Sequence, residues 1–216
     1  MRFRNRAAAG RRLAEELGDY ARPGVIVLGL PRGGVPVAAE VAPKLAAPMD
    51  VFLVRKLGVP GHSELAMGAI ADGGVTVLNE DVVRDLRIPP AVVDEVAARE
   101  RLELDRRDLA YRGTRSPPVL ENRTVILVDD GLATGSTMEA AARAVRQHHP
   151  SELVIAAPVG ARDACERLKA IAERVVCVAV PDPFDAVGLW YDDFTQTPDD
   201  EVARLLAAQD FWSEIA

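Results

Sequence analysis

The sequence predicts an α/β protein built on a doubly wound, mostly parallel sheet. Three observations carry this reading. Short apolar runs, such as residues 25–28, 125–128 and 175–180, have the composition of buried strands. Stretches with helical spacing lie between them, the alternation expected of βαβ units with helices on both faces of the sheet. Two of the strands run straight into glycine-rich turns that open a helix, and such sheets bind ligands beyond the carboxyl ends of their strands.

The elements follow in order. Residues 6–17 have helical spacing, with Leu13 and Leu17 among alanines, and Gly18 stops the helix. Residues 25–28 form a strand bounded by Pro23-Gly24 and Gly29. A turn covers 29–34 and a helix 35–45. Residues 51–54 form a second strand, ending in Arg55-Lys56. Residues 57–68 mix glycine, proline and polar groups without a period, which predicts a long loop of the kind that carries function. Ala69-Ile70 and residues 75–78 read as strands around Asp72-Gly73-Gly74. Pro89 opens a long charged helix, to about Arg112, with Glu/Arg pairs at helical spacing. Residues 114–118 break it. A strand at 124–128, a helix at 136–148, a strand at 153–157, a helix at 162–172 and a strand at 175–180 come next. The tail, 181–197, is rich in Pro, Asp and aromatics, and a last helix covers 199–208. With 216 residues, a single domain over 1–216 is expected, with 89–112 an insertion or lid within it.

No apolar run approaches the roughly 18–20 residues of a membrane span, and the basic, amphipathic start does not read as a secretory signal. Cys165 and Cys177 form no metal-type pair and are expected as buried free thiols. These features predict a cytoplasmic protein without a membrane partner. The net charge of −7 argues against nucleic acid as partner. Bases nevertheless cluster in residues 1–12, at Arg55-Lys56 and in 99–123, as an anion-binding chain requires.

The chemistry concentrates after the strand Val125-Ile126-Leu127-Val128. It ends in Asp129-Asp130, followed by Gly131, Leu132, Ala133, Thr134, Gly135, Ser136 and Thr137. A buried strand thus delivers two carboxylates to its carboxyl end, and a Gly/Thr/Ser turn opens a helix whose free N–H groups form an anion site. Acids for sugar hydroxyls beside amides for phosphate suit a sugar phosphate. The Gly-Lys-Ser/Thr of a nucleotide P-loop is missing. The acidic pair of a receiver domain belongs after the first strand, not this deep in the chain. A second turn, Leu30-Pro31-Arg32-Gly33-Gly34, follows the first strand. Its glycines admit a polyanion close to the backbone, and Arg32 adds a cationic donor fork.

The run from Val125 to Thr137 resembles the signature of type I phosphoribosyltransferases, which bind 5-phosphoribosyl pyrophosphate (PRPP), and the Arg32 turn resembles their pyrophosphate loop. The resemblance covers about 25–180 and is nearest to an uncharacterised bacterial branch. It implies the type I fold with a small hood, here from 1–20 and 181–200. It implies that Asp129 and Asp130 hold the ribose hydroxyls, while Gly131, Ala133, Thr134, Gly135, Ser136 and Thr137 hold the 5′-phosphate. Pro31, Arg32, Gly33 and Gly34 would hold pyrophosphate, with a cis Pro31–Arg32 peptide, or else a cis Leu30–Pro31 bond. Arg55 and Lys56, ending the second strand at the same sheet edge, are candidates to neutralise pyrophosphate or else a solvated basic pair. The loop 57–68 falls where the family has its mobile lid, which makes His62 and Glu64, with Ser63, candidates for proton transfer or pyrophosphate contact; solvated side chains are the alternative. In the hood, Phe184, Trp190 and Tyr191 would stack on an acceptor and the carbonyl near Val180 would read its edge, or the aromatics pack the tail onto the core. Asp182, Asp185, Asp192 and Asp193 suit a cationic acceptor or a plain surface.

The implied reaction displaces pyrophosphate from PRPP by a nitrogenous acceptor, as in nucleotide salvage. Asp129, Asp130, Arg32, Lys56, His62 and Glu64 are the candidate catalytic groups. The implied cofactor is Mg²⁺, arriving with PRPP and reached by Asp129 or Asp130 through water. A homodimer is the family's common state. Two other readings stay open: a non-catalytic PRPP-binding sensor, and an enzyme acting on PRPP or another phosphorylated sugar by hydrolysis or phosphorolysis.

Overall fold

In the computed structural model, residues 1–213 are described, apart from the side chains of Ser63, Glu64 and 210–213. In chain order the helices are α1 (Arg6–Glu16), α2 (Gly34–Lys44), α3 (Glu80–Asp85), α4 (Pro90–Arg112), α5 (Ser136–Arg146), α6 (Arg162–Leu168) and α7 (Asp199–Ser213). The strands are β1 (Val25–Gly29), β2 (Met49–Val51), β3 (Val54–Val59), β4 (His62–Ala71), β5 (Thr76–Leu78), β6 (Thr124–Val128), β7 (Glu152–Val159) and β8 (Arg174–Ala179).

Apolar runs, fully buried in β1 and β6 and nearly so in β7, pair into one parallel sheet in the order β2-β1-β6-β7-β8, with the partly exposed β2 and β8 at its edges. The two-residue period of a strand divides their side chains. Val25, Val27, Ile126, Val128, Val154 and Ala156 join the core under α1 and α2. Ile26, Leu28, Val125, Leu127, Leu153 and Ile155 join the core under α5 and α6. The sheet grows from β1 outward to β2, then from β6 in the opposite direction to β7 and β8. The β1–β6 junction is therefore the switch point, where the loops diverge and leave a crevice.

The expected loop at 57–68 is instead most of an antiparallel hairpin. β3 and β4 pair across a tight turn at Pro60-Gly61, with Gly61 at φ 80°, and β5 completes a three-stranded sheet. The alternation in sequence is broken because the register shifts on either side of Gly58. The expected strand 51–54 is also divided: it takes in the end of β2, Phe52-Leu53 and the first residue of β3. Arg55 and Lys56 thus lie inside β3 and do not terminate a strand of the parallel sheet. α3, unanticipated, buries none of its residues. α6 stops at Leu168, four residues before the expected end.

One buried side chain joins the two sheets. The Arg112 guanidinium, at the end of α4, donates to Asp50 at 3.0 Å, to Asp72 at 2.8 and 3.2 Å, to Asp108 at 2.6 Å and to the Val51 carbonyl at 2.7 Å. Asp72 in turn accepts from the Leu53 amide at 3.0 Å. Burial pushes the Asp50 carboxyl above the usual range, and the Arg112 charge opposes that rise.

The N-terminal segment meets the tail. Phe3 and Tyr191 form a parallel bridge, in which the Phe3 amide donates to the Trp190 carbonyl at 2.8 Å and the Asp192 amide to the Phe3 carbonyl at 2.9 Å. Among the described residues no helix is long and apolar enough to cross a membrane.

Candidate active site

β1 and β6 deliver their loops to the same crevice. The turn after β1 holds a cis peptide between Pro31 and Arg32. It packs tightly on the end of β6. A Cβ on Gly34 would collide with the Val128 carbonyl oxygen, and one on Gly33 would overlap Asp130 Oδ2. Only glycine allows this approach.

Asp129 and Asp130 are half-buried side by side. The Asp130 amide donates to Asp129 Oδ1 at 2.8 Å. Burial and then the neighbouring Asp130 charge raise the Asp129 carboxyl well above its ordinary value. Burial also raises Asp130, but Arg6 holds it back, with Nε donating to Asp130 Oδ2 at 2.8 Å. The pair is therefore asymmetric, one acid matched by a cation and the other not hydrogen-bonded to it.

The next loop is fastened from below. Leu132 exchanges backbone bonds with the end of β7: its amide donates to Val159 at 2.9 Å, and Ala161 donates to its carbonyl at 2.8 Å. Gly135, at φ 69°, caps α5 in the left-handed region. Thr134 Oγ1 and Ser136 Oγ lie 3.0 Å apart, and Arg167 donates to the Thr134 carbonyl. A recess of about 140 Å³ lies over Asp129 and residues 131–138. The first-turn amides of a helix have no intrahelical acceptor, so this recess can take a phosphate. A larger cleft, about 650 Å³, opens between α5 and the β4–β5 pair. It shares only Ser136 with the loop, and Glu80, Asp81 and Glu139 on its walls repel a polyanion.

The acids, the glycine turn and the recess meet at one switch point, and comparison with known proteins shows the family. The phosphoribosyl transferase domain profile matches residues 2–192. The chain belongs to the phosphoribosyl transferase family. It is 49% identical over 211 residues to the Mycobacterium tuberculosis proteins Rv0571c and MT0597, provisionally named phosphoribosyl transferases. The match covers 97% of this chain and 48% of theirs, so the chain spans about half the length of these curated relatives. The crystal structure of TT1426 from Thermus thermophilus is 45% identical, with a TM-score of 0.89 over 97% of this chain and 99% of that one.

The other candidates fall in three places. Arg32 lies in the β1 turn, with Nη1 3.6 Å from Asp199 at the start of α7. Arg55 sits where the root of β3 meets Pro31 and Thr137 across a narrow cleft, and its guanidinium donates twice to Glu100 of α4, at 3.0 and 2.7 Å. Lys56 is exposed on β3, and His62 is exposed where β4 leaves the hairpin turn. The side chain of Glu64 lies outside the described residues. In the hood, the Tyr191 ring is only 2% exposed, stacked on Phe194 at 5.0 Å and tilted on Phe3 at 5.7 Å. Its hydroxyl donates to the Asp130 carbonyl at 2.6 Å. Phe184 and Trp190 are half-buried against the same cluster, and Val180 is exposed at the rim.

Two participants escaped the sequence reading. Arg6 stacks over Phe194 at 4.0 Å and donates to the Thr195 carbonyl at 2.7 Å while it pairs with Asp130. Arg107 of α4 lines the cleft beside Arg55. Neither stands out among the clustered arginines of its segment; only the pairing of the N-terminal segment with the tail singles out Arg6.

Proposed function

We propose that this chain transfers the 5-phosphoribosyl group of PRPP to a nitrogenous acceptor and releases pyrophosphate, with Mg²⁺ as cofactor. The observation that supports the reading is the close approach of Gly33 to Asp130, which brings the glycine turn, the acidic pair and the recess over residues 131–138 to one crevice. A 5′-phosphate in the recess sets the ribose over Asp129 and Asp130 and points the anomeric substituent toward the Arg32 turn.

The residues then divide the work. Thr134, Ser136, Thr137 and the amides of the loop bind the phosphate. Asp129 and Asp130 orient the ribose hydroxyls and place negative potential beside the cation that develops as the leaving group departs. Arg32 and the amides of Gly33 and Gly34 receive pyrophosphate. Arg55 and Lys56 approach from β3. The hood excludes water, with Trp190 and Phe184 at the acceptor side. Among the described residues no cluster of three or more His, Cys, Asp or Glu could hold a metal unaided. The donor set fits magnesium all the same, since that ion takes one or two carboxylates beside substrate oxygens. Asp129 or Asp130 would hold the magnesium, which would supply charge neutralisation at the pyrophosphate.

Pyrophosphate release from PRPP and Mg²⁺, screened over nucleobases, amines and other small acceptors, tests the reading. Release dependent on one acceptor is expected. Tight PRPP binding without release for any acceptor would favour a sensor. PRPP affinity unchanged in the Asp129→Asn, Asp130→Asn double variant, measured by calorimetry, would overturn the site itself.

A further inference from the structure

We propose that Cys165 and Cys177 form a peroxide-sensitive thiol pair whose oxidation to a disulfide alters the phosphate loop. The coupling half of this inference rests on the function proposed above; the thiol chemistry does not.

The two cysteines come from different elements, Cys165 from α6 and Cys177 from β8, yet their sulfurs lie 3.1 Å apart. Both are free thiols. A disulfide needs about 2.05 Å, so closure requires a movement of about 1 Å. Gly160 makes the meeting possible: a Cβ there would stand 2.6 Å from one sulfur and 3.0 Å from the other. The hydrogen bond from Cys177 brings the Cys165 thiol below its ordinary value, against burial and the Glu166 charge, and the Lys169 charge adds a smaller lowering. The same hydrogen bond and burial raise Cys177, which stays protonated as the resolving thiol. Cys165 is 6% exposed, and Cys177, on the edge strand β8, is half-buried.

The pair stands directly beneath the loop. Gly160 bridges Leu132, and the backbone on either side of Gly160 makes the two bonds that fasten Leu132. α6, which carries Cys165, also carries Arg167, bonded to the Thr134 carbonyl, and Ala164, whose Cβ would be 3.1 Å from a Cβ on Gly135. Drawing α6 toward β8 therefore pulls on the loop at Leu132, Thr134 and Gly135.

The chemistry balances with hydrogen peroxide as the named oxidant. The Cys165 thiolate attacks one peroxide oxygen, the O–O bond breaks, and the other oxygen leaves as hydroxide, taking a proton to become water. The Cys177 sulfur then attacks the sulfenic sulfur. The S–O bond breaks, and the hydroxide leaves with the Cys177 proton as a second water. Two thiols and one peroxide yield one disulfide and two waters.

The full chain, treated with hydrogen peroxide, is examined by intact and peptide mass spectrometry. Expected is an intramolecular loss of about 2 Da, linking the Cys165 and Cys177 peptides, reversed by dithiothreitol and absent from Cys165→Ser and from Cys177→Ser. Only oxygen adducts or intermolecular dimers would overturn the pair. For the coupling, hydrogen exchange over residues 132–137 should differ between oxidised and reduced protein. PRPP affinity should change by about fivefold or more, with neither effect in the serine variants. Identical exchange in both states would overturn the coupling. Reduced protein that fails to bind PRPP refutes the function proposed above, while the mass and exchange results still decide this inference.

Discussion

At the scale of single residues, the crevice is set by what cannot carry a side chain. A methyl on Gly33 collides with the Asp130 carboxylate, which can swing, whereas one on Gly34 collides with the backbone of β6, which cannot. Gly33→Ala is therefore expected to weaken PRPP binding by about tenfold (~1.4 kcal/mol) with little change in thermal midpoint. Gly34→Ala should instead lose about 1–3 kcal/mol of stability. Calorimetry and thermal melts of both variants separate the two effects. The acids make a second prediction. A carboxyl whose pKa rises on folding keeps its proton where the unfolded chain has lost it, so stability falls as pH climbs from the ordinary carboxylate range through the raised value. Asp129 is raised by burial and by Asp130. Asp129→Asn should thus raise the melting temperature of the ligand-free protein at neutral pH, by about 2–4 °C for each kcal/mol removed. The gain should vanish as pH drops below the usual carboxylate range; melts from acid to neutral pH check it.

At the scale of elements, α4 and the antiparallel sheet depend on one guanidinium. Arg112→Ala would leave Asp50, Asp72 and Asp108 gathered without their cation, and a broken buried pair costs about 3–5 kcal/mol. Urea unfolding should show that loss as a lower midpoint. The inner strands of the parallel sheet were legible because burial on both faces leaves almost only apolar residues in them, whereas the edge strand β2, with Asp50 at its centre, was misplaced. The hairpin was not, since Gly58, Pro60 and Gly61 look like a loop and the register shift hides the period of two. α3 left no trace because a helix with no buried face has no apolar stripe. The wider role of Arg112 was invisible for another reason: Asp108 is an ordinary helical neighbour four residues away, but Asp50 and Asp72 are 62 and 40 residues away, and no local pattern marks them.

At the scale of the whole molecule, the site was legible in proportion to how local it is. Asp129 to Thr137 is the turn from one strand into one helix, so its arrangement can be expected along the chain. The Arg32 turn is equally local. Arg6 is not; it reaches Asp130 across 124 residues, and nothing in the sequence pairs them. The hood shares that character, because Arg2 donates to the Tyr191 carbonyl at a separation of 189 residues. A ribosome adding about 5–20 residues each second makes Asp130 roughly 3–12 s before Tyr191, whose hydroxyl donates to the Asp130 carbonyl. During synthesis the acidic pair therefore precedes its roof, and the covering closes only after the floor beneath it is laid.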